Sequence, residues 1–320
     1  MHIKSISPSR IKTYDTCLYK YYLTYHTKEQ MKTNWGAVHG SLLHNILEQY
    51  VKGEVTDHLE ALYKGYRGEF EYDHFGKRVL MATPLDEAKP KEFAQKKPYC
   101  DSCPFKNGSE CVISGEGIDE LTGCPKMLFE NSVKMLEKSM REYKDIWPKV
   151  LRDKTGDPIG VEYEFFIPIP GTEVLFKGFA DLAVEHDKDT IEIIDYKFGK
   201  WTQTQEECDV DIQVRGYSWA ARQEFVHDVN NRGFNYKNVI LTFDYATNIP
   251  ITVTYTKEQD DETARQLSEK AQEILGTTDI TRLTRWPEDN FKCKYLCDLQ
   301  VCNRTWNGDF TVKEDHGKNK

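Results

Sequence analysis

Apolar residues recur every three to four positions over the first 150 residues and alternate with polar ones after residue 159. Ser7-Pro8-Ser9 reads as a helix start, with a hydroxyl at the N-cap and proline in the first turn. Ile11, Tyr14, Leu18, Tyr21, Tyr22 and Tyr25 follow at helical spacing. A second helix is predicted at about 40–51, with Leu43, Ile46, Leu47 and Tyr50 as its apolar stripe. Residues 53–95 read as further helix with polar turns, and a Cys-rich loop at 99–125 precedes a helix ending near 146. The runs GVEYEFFIPI, TEVLFKGFADLAVE and TIEIIDYKF have the strand period, with hairpin turns at Gly171-Thr172 and His186–Asp189. Residues 203–226 read as helix, NVILTFDYA and ITVTYT as two more strands, and 257–276 as a final helix. This order predicts an α/β core with a helical, Cys-bearing elaboration.

The 320 residues allow two or three domains at roughly 100–200 residues each. An aromatic content of 12%, including 18 Tyr, argues for a folded chain. No run approaches the roughly 18 apolar residues of a membrane helix. The opening MHIKSISPSR lacks the apolar centre of a signal peptide. A cytoplasmic protein is expected, with no membrane partner; for a phage-encoded chain this means the host cytoplasm. The net charge of -9, from 52 acids against 43 bases, excludes a general cationic coat for DNA. The charge is uneven, however: residues 1–36 hold Lys4, Arg10, Lys12, Lys20, Lys28 and Lys32 against Asp15 and Glu29.

Nine cysteines without an export signal point to metal rather than disulfides. One group is Cys100-x2-Cys103-x7-Cys111-x12-Cys124, and another is Cys293-x3-Cys297-x4-Cys302. The second group has three members and needs a fourth, for which Cys17 and Cys208 are the spare thiols. In the first group a CxxC knuckle with two further thiols can close a tetrahedral Zn²⁺ site. A second iron–sulfur cluster is the rival reading.

In TIEIIDYKFGK, strand alternation puts Ile191, Ile193, Asp195 and Lys197 on one face. Asp195 and Lys197 are then roughly 6.5–7 Å apart along the strand. A hairpin with the preceding run brings Asp181 beside Asp195, and two converging carboxylates suit a divalent cation. The plain alternative is an ion pair at a strand end with a separate turn aspartate. His44, at the edge of its helical stripe, offers a nitrogen ligand to the same cation, with His39 as competitor. Gln213 and Tyr217 share a helix face four residues apart. Glu48, Glu162 and Glu164 are polar neighbours on the right elements, with exposed surface carboxylates the favoured reading.

Taken together, these segments resemble the PD-(D/E)XK nuclease superfamily, in the RecB-like and AddB-like exonuclease branch that includes the CRISPR-adaptation exonucleases. SPSRIKTYDTCLYKYYLTY resembles its opening helix with the first cluster cysteine, and GSLLHNILE its G-x-x-x-H-x-x-L-E motif, which selects His44 over His39. GFADL resembles the motif of the first aspartate, IIDYKFGK the D-x-K strand, and QVRGY the Q-x-x-x-Y motif. The last three cysteines resemble the C-terminal part of an iron–sulfur staple, spaced x3 and x4 here against the family's x2 and x5. Residues 99–125 lie outside the resemblance and read as an insertion.

The resemblance implies a restriction-endonuclease-like core, a mixed central sheet flanked by helices. It also implies four parts: 1–36 with the first cluster cysteine, 37–158 helical with the insertion at about 97–125, 159–283 the nuclease core, and 284–320 the iron–sulfur segment. His44, Asp181, Asp195 and the Tyr196 backbone carbonyl then bind Mg²⁺ or Mn²⁺. Lys197 orients and helps deprotonate a water, and Gln213 and Tyr217 hold the phosphate or the ligand shell. Cys17, Cys293, Cys297 and Cys302 hold a 4Fe–4S cluster that closes a loop of 275 intervening residues. The expected activity is exonucleolytic hydrolysis at DNA ends or in single strands, in recombination, repair or phage DNA processing. A recombination or replication protein is the expected partner. A structure-specific endonuclease and a non-catalytic DNA-end-binding protein are the alternatives. No GxxxxGK[ST] motif is present to make the chain a helicase.

Overall fold

Among the described residues, six strands build one mixed sheet, and helices cover both of its faces. The computed structural model describes residues 4–27, 35–67, 100–120, 124–153, 155–198, 202–223, 236–245 and 249–277. The sheet strands are β1 (Ser5–Ile6), β4 (Val161–Pro168), β5 (Leu175–Asp187), β6 (Thr190–Lys197), β7 (Asn238–Tyr245) and β8 (Ile251–Thr254). A separate small hairpin joins β2 (Lys106–Asn107) to β3 (Glu110–Cys111). The helices are α1 (Pro8–Thr16), α2 (Leu18–Tyr22), α3 (Trp35–Val51), α4 (His58–Arg67), α5 (Lys126–Ile146), α6 (Gln205–Val210), α7 (Ile212–Ala221) and α8 (Lys257–Gly276).

β5 is the longest strand and the organiser of the sheet. One edge pairs antiparallel with β4 from Leu175 to Leu182. The other edge is shared: β1 pairs parallel at Leu175 and Phe176, and β6 pairs antiparallel from Leu182 to Asp187. β6 and β7 are parallel, so the chain between them must cross over, and α6 and α7 lie in that crossover. β8 closes the sheet antiparallel to β7. Ile191, Ile193, Phe176, Tyr217, Trp219 and Leu267 pack on one face with α1, α7 and α8. Leu182, Val184, Ile194 and Tyr196 pack on the other with Leu43, Ile46, Leu62 and Leu136 of α3, α4 and α5.

The five long strands fall where the alternation predicts, and Ser7 caps α1 by accepting the Arg10 N–H at 3.3 Å. Three expectations change. The opening helix is not continuous: Cys17 is extended (φ -157°, ψ 107°), and α2 restarts after it and runs on into a π-helical turn at Leu23–Thr27. The predicted 203–226 helix is two helices, because Asp211 is extended (φ -68°, ψ 124°) and caps α7 by accepting the Gln213 N–H at 2.7 Å. Of the predicted 53–95 helix, α4 is the described part, and 68–99 lie outside the described residues. Cys293, Cys297 and Cys302 lie outside them too. Among the described residues no helix is long and apolar enough to cross a membrane.

Candidate active site

The site forms where β5 and β6 separate. Leu182 opposes Ile194, so the next pair along is Asp181 opposite Asp195. Beyond that point, among the described residues, β5 has no strand partner on this edge until Phe176 meets β1. Backbone groups released from a ladder need other partners. The Tyr217 hydroxyl supplies them, donating to the Phe179 carbonyl at 2.7 Å and accepting its N–H at 3.1 Å. Asp181 Oδ2 accepts the Tyr196 N–H at 2.6 Å, which ties the two diverging strands together. The fork therefore holds both carboxylates at its mouth.

Gly178 makes the approach possible. It opposes Phe165 on β4, and a Cβ there would stand 2.1 Å from Cζ of that ring. Gly216 does the same beneath Phe176, where a Cβ would lie 2.4 Å from the ring. Both glycines of GFADL and QVRGY thus serve close packing under the fork.

Asp195 is buried, and Gln213 Nε2 donates to its Oδ1 at 2.7 Å. The break at Asp211 sets the direction of α7 and hence of Gln213. Asp211 is itself held by Lys12 of α1 at 2.8 Å and by Gln203 at 3.2 Å. The Lys197 ammonium pairs with Asp195 and lies 5.0 Å over the Phe243 ring. Burial opposes this charge, but Asp195 and Asp181 overcome it and hold the Lys197 pKa above its ordinary value. Tyr217 is buried, and its hydroxyl is committed to the Phe179 backbone.

His44 comes from α3, across the opposite layer. Its Nδ1 lies 3.5 Å from Asp181 Oδ2, and its ring meets Phe198 edge-on at 5.0 Å. Burial lowers its pKa against the pull of Asp195 and Glu162, so a neutral ring with a free nitrogen pair is favoured. His39 is elsewhere: buried, with Nε2 2.7 Å from Ser132 Oγ, and pushed down to about 4 by burial.

Glu162 is the residue that sequence reasoning named beside the site but favoured as an exposed surface carboxylate. Its ligand oxygen, that of Asp181 and a ring nitrogen of His44 all lie within 4.8 Å of one another. Strict alternation would place Glu162 and Glu164 on one solvent face. Glu164 is exposed and close to Lys177. Glu162 instead has φ +48°, the left-handed region that a glutamate rarely adopts. Across it the strand changes face: Val161 packs with α3 and α5, whereas Tyr163, Phe165 and Ile167 pack on the other side. The rotation turns Glu162 toward Asp181. Burial and then the Asp181 charge push its pKa up to about 7. Asp181 is also held well above the carboxylate range, by burial first and then by the Asp195 charge. Glu48, the third of the group, is half-buried and pairs with Lys52.

Glu162 and Asp181, both held above the carboxylate range, stand beside a neutral imidazole, while the Lys197 ammonium pairs with Asp195. A divalent cation fits that donor set, mostly hard oxygen with one nitrogen.

A profile of the PD-(D/E)XK nuclease superfamily matches residues 5–83 and 122–303. The chain belongs to this superfamily. Its members are nucleases that use divalent metals such as Mg²⁺ or Mn²⁺, with DNA as substrate. Among solved structures, a candidate exonuclease from Eubacterium rectale is similar over 85% of this chain and 80% of its own, at 12% identity and a TM-score of 0.42. The protein SSO0001 is similar over 56% and 70%, at 15% identity and a TM-score of 0.29. No curated protein sequence matches the chain.

The spare thiols are also placed. Cys17 is half-buried at the α1–α2 break, where its Sγ accepts the Lys20 N–H at 3.4 Å. Cys208, on α6, is fully buried in the core.

Proposed function

We propose that this chain is a metal-dependent DNA exonuclease that hydrolyses phosphodiester bonds at ends or in single strands, in recombination, repair or phage DNA processing. The observation that carries this reading is the convergence of His44, Glu162, Asp181, Asp195 and Lys197 on the mouth of the β5–β6 fork. His44, Glu162, Asp181 and Asp195 would hold Mg²⁺ or Mn²⁺, with the Tyr196 carbonyl beside them. When bound, the cation acidifies a water and neutralises charge on the phosphoryl group.

The chain's own groups do the rest. Lys197, kept as an ammonium, donates hydrogen bonds to the attacking water or to a phosphoryl oxygen. Gln213 fixes the orientation of Asp195 through its 2.7 Å bond. Tyr217 fixes the Phe179 backbone and so the path of β5 into Asp181. Phe179 itself is 44% exposed, two residues before Asp181, with Lys177 Nζ 4.7 Å over its ring. An apolar ring beside a cation is the pairing that holds unstacked bases, and it favours single strands or frayed ends as substrate. The same reading assigns Cys17, Cys293, Cys297 and Cys302 to a 4Fe–4S cluster, supported by the half-buried position of Cys17 between α1 and α2.

The test is digestion of end-labelled single- and double-stranded DNA, linear and circular, with Mn²⁺, Mg²⁺ or EDTA. Metal-dependent release of mononucleotides or short products from linear substrates alone supports the reading. Cutting of covalently closed circles reassigns the protein as an endonuclease, and activity unchanged in EDTA removes the metal site.

A further inference from the structure

The superfamily profile skips residues 84–121, and three of four clustered cysteines fall in that gap. The fourth, Cys124, lies two residues before α5. Their local structure is a knuckle followed by a hairpin. The Cys103 N–H donates to the Cys100 carbonyl at 3.0 Å, and the Lys106 N–H to the Cys103 carbonyl at 3.1 Å. β2 and β3 then return the chain so that Lys106 opposes Cys111. The Gly115 N–H donates to the Cys111 carbonyl at 2.8 Å, closing a second turn around that thiol.

Cys124 is coupled to this knuckle and hairpin: its thiol is pushed up by burial first and then by the Cys103, Cys111 and Cys100 thiols. At the same time, the Lys126 backbone N–H favours the Cys124 thiolate. The segment has little else to order it: within 100–120 the buried apolar side chains described are Cys111 and Ile113. It docks on α5 through the Phe105–Phe129 ring contact at 5.7 Å. Arg67 adds a tether, its Nη2 donating to the Val112 carbonyl at 2.6 Å. The sulfurs are not yet closed on one point, since among the described residues only His44, Glu162 and Asp181 bring three ligand atoms within 4.8 Å. A tetrahedral Zn²⁺ with Zn–S of about 2.3 Å draws sulfurs to about 3.8 Å, whereas a polynuclear cluster holds them wider.

We propose that Cys100, Cys103, Cys111 and Cys124 form a thiolate-ligated metal centre, separate from the catalytic site, that takes zinc or iron and anchors the inserted segment to the start of α5. Binding deprotonates the thiols and releases their protons. The metal's binding free energy then orders a segment too poor in buried apolar surface to order itself.

The experiment uses the full chain purified anaerobically from cells supplied with iron and zinc. Zinc, iron and acid-labile sulfide per chain are measured for the wild type, Cys100→Ser/Cys103→Ser and the control Cys208→Ser. The proposal expects the double variant to lose one zinc, or one iron–sulfur complement with its visible absorption, while the control keeps the wild-type content. Trypsin should then cut within 100–120 at least tenfold faster in the double variant. Should that variant misfold, the wild type still decides. Stripping its metal with a mercurial and mapping alkylated cysteines by mass spectrometry should expose Cys100, Cys103, Cys111 and Cys124 in step with metal release. Unchanged metal content in the double variant overturns the proposal, as does full alkylation of these four thiols before any metal leaves.

Discussion

Glu162→Gln separates the electrostatics of the fork from its packing, because the amide keeps the size, the backbone and the left-handed φ of the glutamate. In the metal-free protein Glu162 has its pKa pushed up from 4.5 to about 7, by burial and by Asp181. A carboxyl raised in the folded state favours folding fully below its unfolded pKa, and that advantage is lost as pH climbs through the folded value. Metal-free wild type should therefore lose stability between about pH 4.5 and 7, and the loss should persist above that window. The displacement has a ceiling of ~3 kcal/mol; Glu162 retains some contact with water, so ~1–2 kcal/mol is expected. Thermal unfolding in EDTA reads this as a wild-type Tm that falls about 2–4 °C more than that of Glu162→Gln between pH 5 and pH 8. Added Mn²⁺ should reverse the order at pH 8. A site that holds the ion at 100 times its Kd gains about 2.7 kcal/mol, and the amide has given up one anionic ligand. Parallel pH slopes for the two proteins in EDTA, or equal stabilisation of both by Mn²⁺, would refute the placement of Glu162 in the metal set.

The other predictions address each part of the fork separately. Asp195→Asn and Lys197→Met should each lower the cleavage rate by at least about 100-fold in Mg²⁺ and Mn²⁺ while DNA binding by gel shift survives, since the proposed reading gives Asp195 to the metal and Lys197 to the attacking water or a phosphoryl oxygen; full activity in either variant removes it from the site. Tyr217→Phe deletes the hydroxyl that serves both backbone groups of Phe179 and should cost about 1–3 kcal/mol in urea unfolding, with an unchanged midpoint counting against the fork argument. Gly178→Ala places a methyl 2.1 Å from the Phe165 ring and should destabilise by about 1–3 kcal/mol, measured in the same way. Phe179→Ala should weaken single-stranded DNA binding by roughly 10-fold, from about 1–3 kcal/mol of lost stacking, and equal affinity by fluorescence anisotropy would exclude the ring as a base platform.

Period and punctuation made the strands legible. β6 and β7 are buried on both faces or alternate cleanly, and their ends were readable to within a residue. The pairing of Asp181 with Asp195 was also readable, because a short polar turn between two apolar runs leaves one antiparallel register with both apolar sets inward. What failed was every place where the backbone leaves its regular path. Cys17 and Asp211 interrupt helices whose apolar spacing continues across the break, so periodicity could not show them. Asp211 carried the one usable signal, an aspartate two residues before a helical glutamine, in an N-cap position. Glu162 carried none: a glutamate at φ +48° violates the expectation for its type, and alternation assigned it to solvent. Local rules fail most usefully at such sites, where surrounding structure imposes the conformation.

The fork explains why these exceptions cluster. Separating β5 from β6 exposes backbone groups and two carboxylates at once, and each cost is met by a residue that also positions the site. Tyr217 satisfies Phe179 and thereby fixes the strand that delivers Asp181. The Tyr196 N–H satisfies Asp181 and thereby sets its distance from His44. Asp211 breaks the crossover helix and thereby aims Gln213 at Asp195, while Lys12 ties the break to the first helix. The turn at Glu162 brings a further carboxylate to Asp181, which raises the negative charge of the site until a cation is needed to balance it. Stability without metal and affinity for metal are therefore opposed in this fold, and a substitution at the fork that stabilises the metal-free chain is expected to weaken the site.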